Sequence, residues 1–239
     1  MYEVTSAAIK TLAGQIGFDK VGVIGPEHAN GPSWTRSVLV LALATLDVAF
    51  DYEMYIEYNG RRRWHKFVYT ILEAQGARLA RVLREEGLRA EALTFEDSFS
   101  FIDLRMAAVQ AGLGVRGLNG LVVTPEYGPR ARFTALFTDA ELERDRPVRD
   151  YYCPNCTRCW GACPTGAIGP HGFDRSQCIA EFTPTPEMMA RQQKMLTFPT
   201  PATRLQCRAC LDSCPIGQRQ GVFYFDVVAS SIAGLVEKG

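Results

Sequence analysis

The chain has 239 residues, 47% of them hydrophobic, which is enough for one large domain or for a medium domain and a small one. Its 26 basic and 26 acidic residues cancel, so the overall charge makes a nucleic-acid partner unlikely and gives no reason to expect a membrane. No basic segment precedes an apolar run at the N-terminus, and the longest apolar run, 38–46, is too short to cross a bilayer. We therefore expect a cytoplasmic protein.

Hydrophobic periodicity predicts alternating helices and strands over the first part of the chain. Helices are predicted at 5–15, 64–86 and 104–111, and strands at 20–24, 38–45, 90–95, 121–124 and 132–138. This alternation predicts an α/β domain over residues 1–145. Residues 146–222, rich in cysteine and proline, form a predicted second domain, and residues 223–239 a tail that packs back on the first.

All eight cysteines lie between positions 153 and 214, in two arrays of closely similar spacing. The first array follows C-x₂-C-x₂-C-x₃-C-P, a spacing typical of iron–sulfur proteins, in which the cysteine before the proline serves the other cluster. Crossing the ligands in this way predicts two [4Fe-4S] clusters with no cysteine left over. The first cluster takes Cys153, Cys156, Cys159 and Cys214, and the second takes Cys163, Cys178, Cys207 and Cys210.

Two other uses of these cysteines compete with the clusters. Disulfides are disfavoured in a reducing compartment and at spacings of two or three residues. Two Cys₄ zinc sites would use the same sulfur atoms, but the four-cysteine run before Pro164 is far more specific for iron–sulfur. Two neighbouring clusters would form an electron relay, so the first domain is expected to hold the centre at which the relay ends.

Three stretches of the chain resemble a known superfamily. AGLGVRGLNGLVVTPEYGPRARFTALFTD (111–139), followed by the cysteine arrays, is similar to the cobalamin-dependent epoxyqueuosine reductases and the reductive dehalogenases. YNGRRRWHKFVYTILEAQG (58–76) and the pair Asp97–Ser98 resemble the first of these families. The resemblance implies an α/β (α+β) fold, with a nitroreductase-like cobalamin-binding domain and a C-terminal bacterial ferredoxin-like module carrying both clusters.

The resemblance also implies how the first domain would hold its cofactor. No D-x-H-x-x-G signature is present, so cobalamin would be bound base-off, without a histidine ligand to cobalt, which eases its reduction to Co(I). Gly112, Gly114, Gly117 and Gly120 would let a loop approach a large flat ligand, although they would serve equally to end a helix and turn into a strand. The candidate cofactor-binding residues are His65, Arg105, Gly114, Gly117, Asn119, Gly120 and Tyr127.

A reductase of this type also needs a proton donor. Asp97 lies among phenylalanines, which would raise a carboxyl pKa, and it is our candidate general acid. Aspartate is also a favoured helix N-cap, which is an equally good explanation of Asp97. The distance from Asp97 to Arg105 is one residue longer than in the epoxyqueuosine reductases. His65 at a helix start and Arg105 on a helix face also have ordinary structural explanations.

Three functions remain open at this point. The first is a cobalamin- and [4Fe-4S]-dependent reductase that passes electrons from an external low-potential donor of the ferredoxin or flavodoxin type, through the clusters and cobalt, to a small organic substrate. The second is a non-enzymatic corrinoid-binding electron carrier or a reductive activator of a corrinoid partner protein. The third is a two-cluster ferredoxin whose first domain binds flavin. We expect the chain to be a short form of this superfamily, without the C-terminal helical repeats of epoxyqueuosine reductases and the leader of reductive dehalogenases.

Overall fold

The computed structural model describes residues 5–150, 152–153 and 156–217. They divide into two compact units. Of the described residues, the first unit contains 5–44, 69–150, 152–153, Cys156 and Pro215–Gly217, and the second contains Thr45–Val68 and Thr157–Cys214. Segment 45–68 therefore folds with the cysteine-rich half, whereas the sequence placed it in a first domain of residues 1–145. The predicted tail at 223–239 lies outside the described residues.

The regular elements alternate along the described chain. The helices are α1 (Ser6–Ile16), α2 (Phe67–Glu85), α3 (Phe95–Phe101), α4 (Leu104–Gln110), α5 (Arg158–Ala162), α6 (Pro186–Met195) and α7 (Ala209–Asp212). The strands are β1 (Lys20–Ile24), β2 (Ser37–Ala44), β3 (Tyr52–Tyr58), β4 (Arg61–Lys66), β5 (Ala90–Ala92), β6 (Val115–Arg116), β7 (Val122–Val123), β8 (Ala131–Thr138), β9 (Ile168–Gly169), β10 (Gly172–Phe173) and β11 (Thr203–Leu205).

A four-stranded sheet in the order β1-β2-β8-β5 forms the centre of the first unit. The middle strands are buried almost throughout. The sequence predicted a buried strand at 38–45 and a strand at 132–138. Helix α4 packs on this sheet, and its C-terminal end lies so close to β1 that a Cβ atom on Gly22 would stand 2.5 Å from the Ala111 carbonyl oxygen. Because every strand pair in the sheet is antiparallel, the fold is α+β within the predicted mixed class.

The largest difference from the sequence prediction is at 52–66. A helix was predicted from Trp64, but the chain forms a β-hairpin there, and α2 begins at Phe67. Asn59 and Gly60 join the two strands with φ values of 50° and 71°. An Asn-Gly pair with both φ values positive is typical of the two-residue type I′ turn, whose twist matches that of the flanking strands.

A three-stranded sheet in the order β11-β3-β4 organises the second unit. Trp64 is buried there, its indole Nε1 donates to Gln192 Oε1 of α6 at 3.1 Å, and its ring meets Phe198 edge-on. The cysteines of this unit lie in or beside short elements, α5, α7 and the β9–β10 hairpin. In the described part of the chain, no helix combines the length and the apolar character that a bilayer span requires.

Candidate cofactor site

Three thiols of the second unit lie close enough to influence one another's charge. Cys163 follows α5, Cys178 follows the β9–β10 hairpin, and Cys207 precedes α7. Burial raises the pKa of the Cys178 thiol, and negative charge on Cys207 and Cys163 raises it further. The pKa of Cys207 is raised by burial and by Cys163. The structure thus brings together three of the four cysteines predicted to hold the second cluster.

Backbone N–H groups are directed at these sulfur atoms. Burial opposes ionisation of Cys163, but hydrogen bonds from the backbone and hydroxyl of Thr165 and from the backbone of Ile168 and Ala167 lower its pKa overall. Backbone N–H groups of Ala180 and Ala209 act in the same direction on Cys178 and Cys207. Such donors stabilise thiolates, which are the form that binds iron, and N–H···S bonds are a known influence on cluster potential.

The remaining cysteines are also free thiols, and no disulfide joins any pair in the described chain. Cys159 lies in α5 and Cys210 in α7, and these two helices pack against each other. Within residues 5–150, 152–153 and 156–217, no three Cys, His, Asp or Glu side chains are grouped as ligands of a single metal ion.

A network of buried charges, which the sequence did not indicate, lies in the same unit. Asp51 accepts from Lys66 Nζ at 3.1 Å and also pairs with Arg208. Glu53 pairs with Arg204 at 2.6 Å, and neither side chain is exposed. The positive charge of Arg204 acts on Cys207 and lowers its pKa against the effect of burial. Charged side chains are seldom fully buried unless they are paired, as they are here.

Cys153 lies in the first unit, packed among apolar side chains of the hairpin formed by β6 and β7, whose turn contains Gly117 and Gly120. Its buried side chain belongs to a cluster with Val115 of β6 and Val123 of β7, and Ile216 packs against this cluster. The Tyr152 hydroxyl donates to the Val123 carbonyl oxygen at 2.6 Å. Burial, with the nearby charge of Glu126, raises the pKa of Tyr152 to about 12, so this bond persists across the physiological pH range.

The glycines of the hairpin have reasons within the protein for their identity. A Cβ atom on Gly114 would stand 2.4 Å from the Val123 carbonyl oxygen, and one on Gly117 would stand 2.6 Å from the Val123 side chain. Gly120 occupies a turn with φ 74°, and Asn119 Oδ1 accepts from the Leu121 N–H at 3.2 Å in that turn. The hairpin therefore requires these residues for its own close packing, whether or not it contacts a cofactor.

Tyr127 lies in the loop after β7. Its backbone N–H donates to Thr124 Oγ1 at 3.0 Å, and burial, followed by the charges of Asp19 and Glu126, raises its pKa. The same loop closes against residues 215–217, because a Cβ atom on Gly128 would stand 2.2 Å from the Ile216 carbonyl oxygen. Arg130 is buried and donates from Nη2 to that oxygen at 2.7 Å.

Asp97 is exposed in the first turn of α3. Its backbone N–H donates to Thr94 Oγ1 at 3.0 Å, and the Thr94 hydroxyl donates to Asp97 Oδ2 at 2.8 Å. This reciprocal pair is a capping arrangement in which Thr94, not Asp97, is the N-cap. Asp103 caps the next helix, and exposed Arg105 lies 3.9 Å from its carboxylate. The general-acid role of Asp97 stays a prediction.

His65 lies on β4 in the second unit, opposite Met54 of β3, and not at a helix start. It is buried. The other candidate cofactor-binding residues, from Arg105 to Tyr127, belong to the first unit. Each unit thus carries some of the candidates, and their joint role as a cofactor site stays a prediction.

Known proteins resemble this chain in sequence and in fold. An epoxyqueuosine reductase of a Synechococcus strain is 31% identical over 159 residues, which is 66% of this chain and 48% of that protein. A tetrachloroethene reductive dehalogenase of Dehalobacter restrictus is 49% identical over 65 residues, 26% of this chain and 12% of that protein. No family model matches the chain.

Solved structures of both kinds of protein share the fold. An epoxyqueuosine reductase crystallised with an epoxyqueuosine-modified tRNA-Tyr stem loop aligns over 87% of this chain and 64% of its own, with a TM-score of 0.61 and 22% identity. A catabolic reductive dehalogenase in complex with 3-bromo-4-hydroxybenzoic acid aligns over 94% of this chain and 33% of its own, with a TM-score of 0.59 and 18% identity.

Relatives named epoxyqueuosine reductase and reductive dehalogenase, with solved structures of both kinds, support the superfamily that the sequence resembles. The predicted resemblance is confirmed, and so is the predicted mixed fold. A reductive dehalogenase structure of the superfamily is described as suggesting a mechanism for B12-dependent dehalogenation. The matched region spans about half of the Synechococcus protein and 40% of a Bacillus subtilis epoxyqueuosine reductase, so the activities of these relatives enter below only as proposals.

Proposed function

We propose that this protein is a reductase that carries two [4Fe-4S] clusters and cobalamin and acts on a small organic substrate. The observation that carries the proposal is the grouping of Cys163, Cys178 and Cys207, whose like charges oppose one another while backbone N–H groups are directed at their sulfur atoms. A positively charged iron core would relieve this repulsion, so the residues fit an iron–sulfur cluster.

The chain's own residues have defined parts in this proposal. The ligand sets are those predicted from the spacing, with Cys163, Cys178, Cys207 and Cys210 around the second cluster and the other four cysteines around the first. The apolar side chains packed around Cys153 would keep water away from the first cluster. Iron–sulfur clusters supply one-electron transfer at potentials that extend to about −700 mV. An external donor of the ferredoxin or flavodoxin type would reduce them.

Cobalamin has weaker support in the described residues than the clusters have. The glycines and Asn119 of the hairpin are explained by contacts inside the protein, so they neither demand nor exclude a corrin. Resemblance to the superfamily is the support for this cofactor, which would supply a strongly nucleophilic reduced cobalt. Asp97 stays the candidate proton donor, because burial raises the pKa of the Tyr127 hydroxyl and makes it a weaker acid.

The proposal names only the class of substrate, a small organic compound. The relatives named above act on epoxyqueuosine or on chlorinated and brominated compounds, by their names and bound ligands. A relative solved with a tRNA stem loop also weakens the expectation that no nucleic acid binds, since that expectation depended on net charge alone.

Anaerobic reconstitution with iron, sulfide and hydroxocobalamin tests the proposal directly. Two four-iron clusters on eight cysteines should give about eight irons per chain, with one cobalt. Iron with cobalt, but without reduction of epoxyqueuosine-tRNA or a bromophenol, would favour the corrinoid carrier over the enzyme. Flavin absorption without cobalt would favour a flavin-binding ferredoxin, and uptake of zinc with neither iron nor cobalt would refute the proposal.

A further inference from the structure

An ion pair without exposed surface stands next to the second group of cysteines. Arg204 on β11 and Glu53 on β3 are 151 positions apart, and Arg204 Nε donates to Glu53 Oε2 at 2.6 Å. Burial opposes both charges, raising the pKa of Glu53 and lowering that of Arg204. A pair in this position costs more to bury than apolar residues of the same size, so its contribution to stability alone does not explain it.

Hydrogen bonds fix the orientation of the guanidinium. Arg204 Nη2 donates to the Glu181 carbonyl oxygen at 3.0 Å. Gln206 Nε2 donates to Glu53 Oε1 at 2.8 Å and to the Ala180 carbonyl oxygen at 3.2 Å. Both carbonyls belong to the segment that directly follows Cys178, and both donors belong to the segment that leads into Cys207. Arg204 therefore joins the two loops that carry these cysteines.

One nitrogen of the guanidinium is left over. Nη1 of Arg204 is buried and has no hydrogen-bond partner among the residues that the structure describes. A buried N–H of a cation without an acceptor is costly, so such a group calls for a ligand. The charge of Arg204 interacts with Cys178 and with Cys207, which places the guanidinium within electrostatic reach of both sulfur atoms.

We propose that Arg204, oriented by Glu53, is a positioning residue of the second cluster that donates from Nη1 to a cluster sulfur and thereby raises the cluster's reduction potential. This inference depends on the proposed function, because it assumes an iron–sulfur cluster on Cys163, Cys178, Cys207 and Cys210. Hydrogen bonds to the sulfurs and the net charge nearby are among the factors that set such potentials.

The charges of Arg204 and Glu53 determine the direction in which each variant shifts the reduction potential. On reduction the cluster gains one electron from the reductant and no proton, so its charge becomes more negative. A fixed positive charge favours the reduced form and a fixed negative charge opposes it. Removing Arg204's charge should therefore lower the potential, and removing Glu53's charge should raise it. Opposite shifts would show that both charges act on the cluster, and Arg204→Lys, which keeps the charge but loses the planar fork, tests the hydrogen bond from Nη1 separately.

The test uses Arg204→Gln and Glu53→Gln in the reconstituted full-length protein, with Glu57→Gln as the control. Glu57 is an exposed residue on the same strand. Dithionite titration followed by electron paramagnetic resonance measures the midpoint potential, and iron analysis measures cluster content. We expect at least a tenfold change in the equilibrium constant for reduction, about 59 mV for one electron, downward for Arg204→Gln and upward for Glu53→Gln. Glu57→Gln should match the wild type.

The outcomes separate this inference from the proposed function. A wild type without iron contradicts the proposed function. The role of Arg204 is overturned if the wild type binds its full iron and the variants keep their iron but leave the potential unchanged, or both shift it in the same direction. If Arg204→Gln does not fold, two other variants decide. Glu53→Gln must raise the potential. Arg204→Lys keeps the charge but loses the planar fork, so its potential must lie between that of the wild type and the lowered value expected for Arg204→Gln.

Discussion

The interiors of the two units are built on different principles. The first unit buries apolar strands, and the side chains of β2 and β8 pack with those of α4 in one hydrophobic cluster. The second unit buries charges: Asp51, Glu53, Lys66, Arg204 and Arg208 are each no more than 8% exposed. An apolar core tolerates changes that keep its volume, whereas each buried charge depends on particular partners. The second unit is therefore expected to be the more easily disrupted by single polar substitutions.

Asp51→Ala should produce the largest loss of stability. It removes the carboxylate shared by Lys66 and Arg208, and leaves buried cations without it. We expect the free energy of unfolding, measured by urea denaturation of the reconstituted protein, to fall by about 3–5 kcal/mol. Asp212→Ala is the matched control, because its carboxylate also pairs with Arg208, at 3.4 Å, but is 59% exposed. A control loss as large as that of Asp51→Ala would abolish the contrast between the units.

Leu136→Ala examines the apolar unit in the same assay. The side chain has no exposed surface in the middle of β8. Removal of its methyl groups leaves a cavity, with an expected loss of about 2–5 kcal/mol. Met106→Ala, on the same unit but 42% exposed, should cost under about 1 kcal/mol. If the two losses were equal, the sheet would not be the stabilising core of this unit.

Gly114→Ala tests whether the hairpin glycines serve internal packing. The new Cβ atom would meet the Val123 carbonyl oxygen at 2.4 Å, so we expect a loss of about 1–3 kcal/mol even without any cofactor. Gly14→Ala, inside α1 with nothing within 4 Å, should instead stabilise by up to about 1 kcal/mol. If Gly114→Ala left the free energy of unfolding of the cofactor-free protein unchanged, contact with a ligand would become the better explanation of this glycine.

Asp97→Ala should have the smallest effect on stability. It breaks the reciprocal hydrogen bonds with Thr94 at the start of α3, and such caps contribute about 1 kcal/mol. Ser100→Ala, exposed on the same helix, is the control and should change the thermal midpoint little. A loss well above that of a helix cap would show contacts of Asp97 beyond Thr94.

The sequence revealed most of what hydrophobic periodicity and cysteine spacing encode. Strand β1 was predicted with its observed bounds, and β2, β8 and α4 within one residue at each end. These elements are recognisable because each carries its own pattern of apolar residues within a short stretch of sequence. The assignment of Cys163, Cys178, Cys207 and Cys210 to one cluster stays a prediction from the two cysteine arrays, although three of these thiols do interact electrostatically in the structure.

The parts that were missed depend on pairs distant in sequence. Nothing near Glu53 indicates that it is buried, because its partner Arg204 is 151 positions away. The β3–β4 hairpin did have a local signal, the Asn59–Gly60 pair between alternating residues, and a helical pattern further along obscured it. Asp97 had two explanations of equal merit, and only coordinates could show Thr94 as the cap.

The tip of the β3–β4 hairpin offers a practical attachment point. Asn59 and Gly60 are exposed, and a side chain at Gly60 would meet nothing within 4 Å. Exposed tips of this kind accept short insertions with little cost to the surrounding fold. Under the proposed function all eight natural thiols bind iron, so one extra cysteine inserted at this tip would be the single free thiol of the iron-loaded protein. A spectroscopic label attached there would report on the protein without touching its redox centres.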